Sequence, residues 1–167
     1  AIWLGAEMPG DQQIDDAKSV YFTSTVLLEK LDIVGAPNIQ LSISSDKPSA
    51  QIAVRLNHIH PDGASTRITY GVFNLAHRNG FNMATPLLPG EVFDVDFSLD
   101  QIAYRVPAGH KIRVSISSSY WPLIWPSPET TYLTIKAGLV DVPLRQSGKS
   151  DECHFPSSET ESPWQTE

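Results

Sequence analysis

The chain reads as an all-β protein, an antiparallel β-sandwich or jelly roll. Three observations predict it. Apolar residues alternate with polar ones in several separate segments, the spacing that puts one side of a strand in a core and the other in water. Signals for turns, built on Gly and Pro, fall between those segments. Helical periodicity is confined to a short stretch near residues 15–19. At 167 residues the chain suits one domain, and a domain of that size buries roughly 70% of its unfolded surface without needing a disulfide or a metal.

The elements follow in order. Asp11, Asp15 and Asp16 precede a weaker strand over residues 20–28. Such a carboxylate cluster either holds calcium or caps turns through Asx hydrogen bonds, and capping is the favoured reading. Ile39, Leu41 and Ile43 alternate with Gln40, Ser42 and Ser44. Ile52, Val54 and Leu56 alternate with Gln51, Ala53, Arg55 and Asn57, and Pro61-Asp62-Gly63 then marks a tight turn. A weaker strand covers residues 66–75. Asn79-Gly80 and Pro89-Gly90 punctuate the chain before Phe93, Val95, Phe97 and Leu99 alternate with Asp94, Asp96 and Ser98. Ala108-Gly109 precedes Ile112, Val114 and Ile116, and residues 131–137 give the last strand. Seven to nine short strands are expected. The jelly roll is expected over residues 1–141. Residues 142–167 read as a Pro/Ser/Glu-rich extended tail or linker, with Phe155 and Trp164 as its sparse apolar anchors.

Charge and cysteine content exclude several classes. Net charge is −7, which argues against nucleic acid, because neutralising phosphates takes clustered Lys and Arg. Four of those charges lie in residues 146–167, where one Lys meets Asp151, Glu152, Glu159, Glu161 and Glu167. Cys153 is the single cysteine, so no internal disulfide forms, and a reducing compartment suits it. No apolar run approaches the roughly 18 residues of a membrane span. The opening AIWLGAEMPG has no basic n-region. A cytoplasmic location, no cofactor, no nucleic acid and no membrane are the resulting expectations.

Candidate chemistry is sparse. No Gly-x-Ser-x-Gly elbow occurs. Ser115, Ser117, Ser118 and Ser119 end a strand, with no base in evident reach; His110 opens the same strand too far along it. His58 and His60 share a strand face and could bind zinc. No Cys or further His lies nearby in the sequence, so a strand end entering a turn is favoured and no metal site is expected. Turn or surface hydrogen bonding is expected of His77 and His110. Tyr120, Trp121 and Trp125 interleave with prolines. Such a loop docks a neighbouring domain, packs in the core or stacks on a sugar. Trp3 and Leu4 carry a similar ambiguity.

Three segments taken together resemble a known family: GDQQIDDAKSVYFTSTVLLEKLDIVG at 10–35, VRLNHIHPDGASTRITYGVFNLAHR at 54–78, and LLPGEVFDVDFSLDQIAYRVPAGHKIRVSISSSYWP at 87–122. Their order and spacing are similar to the C-terminal domain of the X-Pro dipeptidyl-peptidase and cocaine esterase family. The resemblance runs from about residue 11 to 137. It implies a jelly roll of the galactose-binding-like type that follows an α/β-hydrolase domain with a Ser-Asp-His triad and a helical cap. The triad lies in that earlier part, so no catalytic residue carries over. The implied role is accessory: packing on the hydrolase and cap domains of the same chain, closing the substrate pocket, and supplying contacts to further copies. Trp3 and Leu4 fall where relatives line the pocket. Tyr120, Trp121 and Trp125 are interface candidates. His58 stands where the family often has Asp, and Gln13 where it often has Arg. The alternative from another class is an independent carbohydrate-binding jelly-roll module.

Overall fold

The computed structural model describes residues 10–145. The fold is all-β. Its nine strands are β1 (Val20–Thr23), β2 (Leu31–Gly35), β3 (Asn38–Ser45), β4 (Gln51–Ile59), β5 (Ser65–Asn74), β6 (Val92–Ser98), β7 (Ile102–Val106), β8 (Lys111–Ser117) and β9 (Leu133–Asp141). One helical turn, α1 (Gln13–Asp16), precedes them, two residues before the expected place. The strands form three antiparallel sheets: β1-β8-β4-β5, β6-β3-β9, and the pair β2-β7.

The core follows from the alternation. Ile52, Val54 and Leu56 of β4 and Ile116 of β8 turn one way, toward Ile39, Leu41 and Ile43 of β3 and Val95 of β6. Phe73 of β5 stacks on Phe97 of β6, with centroids 5.3 Å apart, tying the two larger sheets together. The pair β2-β7 contributes Ile33 and Val106, both fully buried. Pro61-Asp62-Gly63 closes the β4–β5 hairpin, with Gly63 at φ 93°, a conformation that a side chain would strain.

The alternation does not single out β2 and β7. Each is five residues long, and the exposed Val34 and Ala103 blur its pattern. The first residues of the segment expected as a tail lie along β2. Leu144 bridges Ile33, Arg145 N–H donates to the Asp32 carbonyl at 2.8 Å, and Val34 N–H donates to the Pro143 carbonyl at 3.1 Å. Phe155 and Trp164 lie outside the described residues.

Candidate functional site

The outer face of the β1-β8-β4-β5 sheet carries a buried polar hub. Residues of β4 and β8 that point away from the core are Arg55, Asn57, Arg113 and Ser115, and α1 lays Asp16 across them. Asp16 Oδ1 accepts hydrogen bonds from Ser115 Oγ at 2.7 Å, Asn57 Nδ2 at 2.8 Å and Arg55 Nη2 at 3.3 Å. Its Oδ2 accepts from Ser65 Oγ at 2.9 Å and Arg113 Nη1 at 3.0 Å. Asp16, Arg55, Asn57 and Ser115 are all essentially inaccessible to solvent. Such groups are stable inside only when paired and hydrogen-bonded. The acidic cluster is therefore split in role. Asp11 does cap, accepting from the N–H groups of Gln13 and Ser65, each at 3.0 Å, whereas Asp16 is a structural counter-ion. Gln13 donates to the Gly63 carbonyl at 2.8 Å. No serine among the described residues is hydrogen-bonded to a histidine, and Ser115 is committed to Asp16.

The aromatic loop divides. Tyr120 is buried, its hydroxyl bonded to Gln12 and Arg67. Trp121 and Trp125 are 62% and 79% exposed. They meet edge to face at 5.7 Å and 70°, so they do not form the coplanar platform that stacks on a sugar ring. The loop is held at its base. Gln51 Nε2 donates to the Trp125 carbonyl at 2.9 Å, Lys47 Nζ meets Glu129 at 2.7 Å, and Tyr132 N–H donates to Asp46 at 2.7 Å. Trp3 and Leu4 lie outside the described residues.

Beside this loop the sandwich edge is open. An apolar cleft of about 670 Å³ runs between edge strands β1 and β9, lined by Val20, Phe22, Val114, Ile116, Leu133 and Ile135. A smaller hollow at Lys18, Ser118 and Tyr132 joins it to the base of the tryptophan loop. Val20, Phe22 and Tyr132 are exposed here, an apolar strip of the kind that marks an interaction surface.

The histidines form a third feature. On the core-facing side, the apolar row of β4 ends in His58 and continues to His60, while that of β8 begins at His110. Ile59 lies opposite Lys111, so one step further His60 and His110 face each other. His58 Nε2 is 2.6 Å from His110 Nδ1, and His58 Nδ1 is 3.0 Å from the Tyr104 hydroxyl of β7. His60 stacks on His58 with centroids 4.0 Å apart, and its Nε2 is 3.0 Å from Thr66 Oγ1. Burial, with the charges that His60 and His110 could carry, lowers the His58 pKa to about 4. Burial also raises that of Tyr104. The expectation that no further histidine completes a set with His58 and His60 is thus corrected, while His110 does hydrogen-bond, to His58. The third histidine comes from 52 residues beyond His58, through sheet register, which sequence spacing does not display. His77 stays apart, stacked on Phe81.

These features define an all-β domain with a braced, solvent-facing aromatic loop and an open apolar edge. The chain belongs to the X-Pro dipeptidyl-peptidase C-terminal non-catalytic domain family, which it matches over residues 3–164. Among curated proteins it is similar to cocaine esterase of Rhodococcus sp. (strain MB1 Bresler), 28% identical over 120 residues, covering 71% of this chain and 21% of that protein. Among solved structures it resembles an alpha-amino acid ester hydrolase, with a TM-score of 0.77 at 21% identity over 81% of this chain and 27% of that one. An aminopeptidase from a marine sediment Thaumarchaeota archaeon gives a TM-score of 0.77 at 19% identity, over 86% of this chain and 30% of that one. The chain spans about a fifth of the curated relative, and the structural likeness at this identity is one of fold. No helix among the described residues is long and apolar enough to cross a membrane.

Proposed function

We propose that this chain is the accessory domain of a larger serine hydrolase, docking on its α/β-hydrolase and cap domains and helping to form the substrate pocket. The parent reaction is then hydrolysis of an ester or an X-Pro peptide through an acyl-serine intermediate supplied by the other domains. The observation that carries this reading is the rigidly based, solvent-facing Trp121–Trp125 pair beside the open β1–β9 edge. Tryptophans held out from a braced loop are the residues that dominate protein interfaces. Tyr120 holds the loop from within. Trp3 and Leu4 stay in the proposal as pocket-wall residues on the family resemblance alone, as does the galactose-binding-like jelly-roll topology. A cytoplasmic setting and contacts between copies of the parent complete the reading.

The test is made in the intact polypeptide. Replacing both Trp121 and Trp125 by Ala is expected to open the domain junction to limited proteolysis and to lower kcat/KM, while this domain keeps its own melting transition. Unchanged cleavage together with unchanged kinetics rejects the docking role.

A further inference from the structure

We propose that His58, His60 and His110 form a binding site for a divalent transition metal of the Zn2+ class, independent of the docking surface. Three observations carry it. Each histidine offers one ring nitrogen, and these three atoms lie within 4.8 Å of one another. They are brought together by adjacent strands, His58 on β4, His60 one residue past its end and His110 one residue before β8, so the strand register sets them on one side. Two rings also have an outer oxygen to fix their orientation, the place an acceptor takes behind a ligating imidazole: the hydroxyl Tyr104 Oη at Nδ1 of His58 and the hydroxyl Thr66 Oγ1 at Nε2 of His60.

The geometry needs only side-chain rotation. Zn–N bonds of about 2.0–2.1 Å at tetrahedral angles separate ligand nitrogens by about 3.3 Å. The His58–His110 pair, at 2.6 Å, must open by about 0.7 Å, and the widest pair must close by about 1.5 Å at most. His60 and His110 are half-buried and have a solvent side on which to move. That side also gives the ion its entry and a water the fourth position, which is the set of three histidines plus water found in zinc sites. In the metal-free chain one proton lies between His58 Nε2 and His110 Nδ1. On binding it leaves by tautomer exchange within the ring that carries it, to Nδ1 of His58, where Tyr104 Oη accepts it, or to Nε2 of His110, so that each ligating ring stays neutral. Imidazole nitrogens favour Zn2+, Cu2+, Ni2+ or Co2+ over Mg2+ and Ca2+, which select oxygen ligands.

The experiment titrates the metal-free chain, in the longest form its source produces, with Co2+ and follows the visible absorption of four-coordinate cobalt. One equivalent is expected to saturate the band, and Zn2+ to abolish it. His60→Gln and His110→Gln, checked for folding by circular dichroism, are expected to weaken binding at least tenfold. His77→Gln and the double variant Cys153→Ser/His154→Gln are expected to bind as the parent does. Absent binding, binding unaltered in H60Q and H110Q, or binding lost with Cys153 and His154 overturns the site. Should the cluster variants fail to fold, NMR of the unaltered chain decides. Zn2+ must shift the imidazole signals of His58, His60 and His110 and leave His77 in place; any other pattern rejects the proposal.

Discussion

Arg55 and Asp16 meet at 3.3 Å on the outer face of the β1-β8-β4-β5 sheet, each side chain 2% accessible. Ser19 Oγ takes a second Arg55 hydrogen bond at 2.8 Å, Asp15 lies 3.7 Å away, and the guanidinium rests over the Tyr120 ring at 5.1 Å. The pair links the N-terminal turn, the sheet and the foot of the tryptophan loop. An ion pair buried this deeply adds little net stability over an apolar substitute, but removing one partner strands the other without solvent.

That asymmetry gives the first prediction. Asp16→Ala leaves buried Arg55 and largely buried Arg113 without their shared carboxylate, and also frees Asn57 and Ser115. The expected cost is about 3–5 kcal/mol, read as a lower urea midpoint at unchanged slope. Asp15→Ala, at a half-exposed site, is expected to cost less than about 1 kcal/mol.

Packing gives the second. A Cβ built on Gly71 would lie 2.8 Å from Leu99 Cδ2, 3.2 Å from Leu99 Cα and 3.3 Å from the Ser98 carbonyl. The backbone atoms cannot rotate away, so Gly71→Ala is expected to cost about 1–3 kcal/mol as an overpacked core. Gly10→Ala meets nothing within 4 Å and is expected to leave the urea transition where it was.

How far the sequence discloses the molecule differs between its parts. Alternation in β3, β4, β6 and β8 is visible because each has one apolar and one polar face, and the hairpin at Gly63 is visible because the turn demands its residues. The sites are less legible. Asp16 looks like a cap because its donors come from three strands, β4, β5 and β8, that lie far from it in the sequence. His110 looks like a turn residue because only the β4–β8 register sets it against His60. Tyr120, Trp121 and Trp125 look alike in sequence, yet one packs inward and two face solvent.

The third prediction uses that division. Tyr120→Ala removes a buried ring with its bonds to Gln12 and Arg67 and is expected to destabilise this chain by about 3–5 kcal/mol. Trp125→Ala, at a side chain 79% exposed, is expected to stay within about 0.5 kcal/mol. Thermal melting of the two variants separates them. A large loss for Trp125 would mean that the loop serves the core of this domain rather than a partner.

The last prediction concerns pH in the metal-free chain. His58 is faced by His60 just past the end of its own strand, His110 just before β8 and Tyr104 on β7, with no carboxylate among its hydrogen-bond or ring contacts. Its pKa falls from 6.5 to about 4, so between those values the unfolded chain binds a proton that the folded chain refuses. Stability rises with pH wherever the unfolded state holds more protons. The contribution of neutral His58 is therefore full above about pH 6.5 and is lost progressively as pH falls toward 4. NMR titration is expected to show the His58 imidazole still neutral at about pH 5, well below the usual midpoint of an unperturbed histidine. Urea midpoints measured at about pH 7 and about pH 5 should drop further for the parent chain than for His58→Gln, which has no proton to gain. Equal drops would place the acid sensitivity elsewhere in the chain.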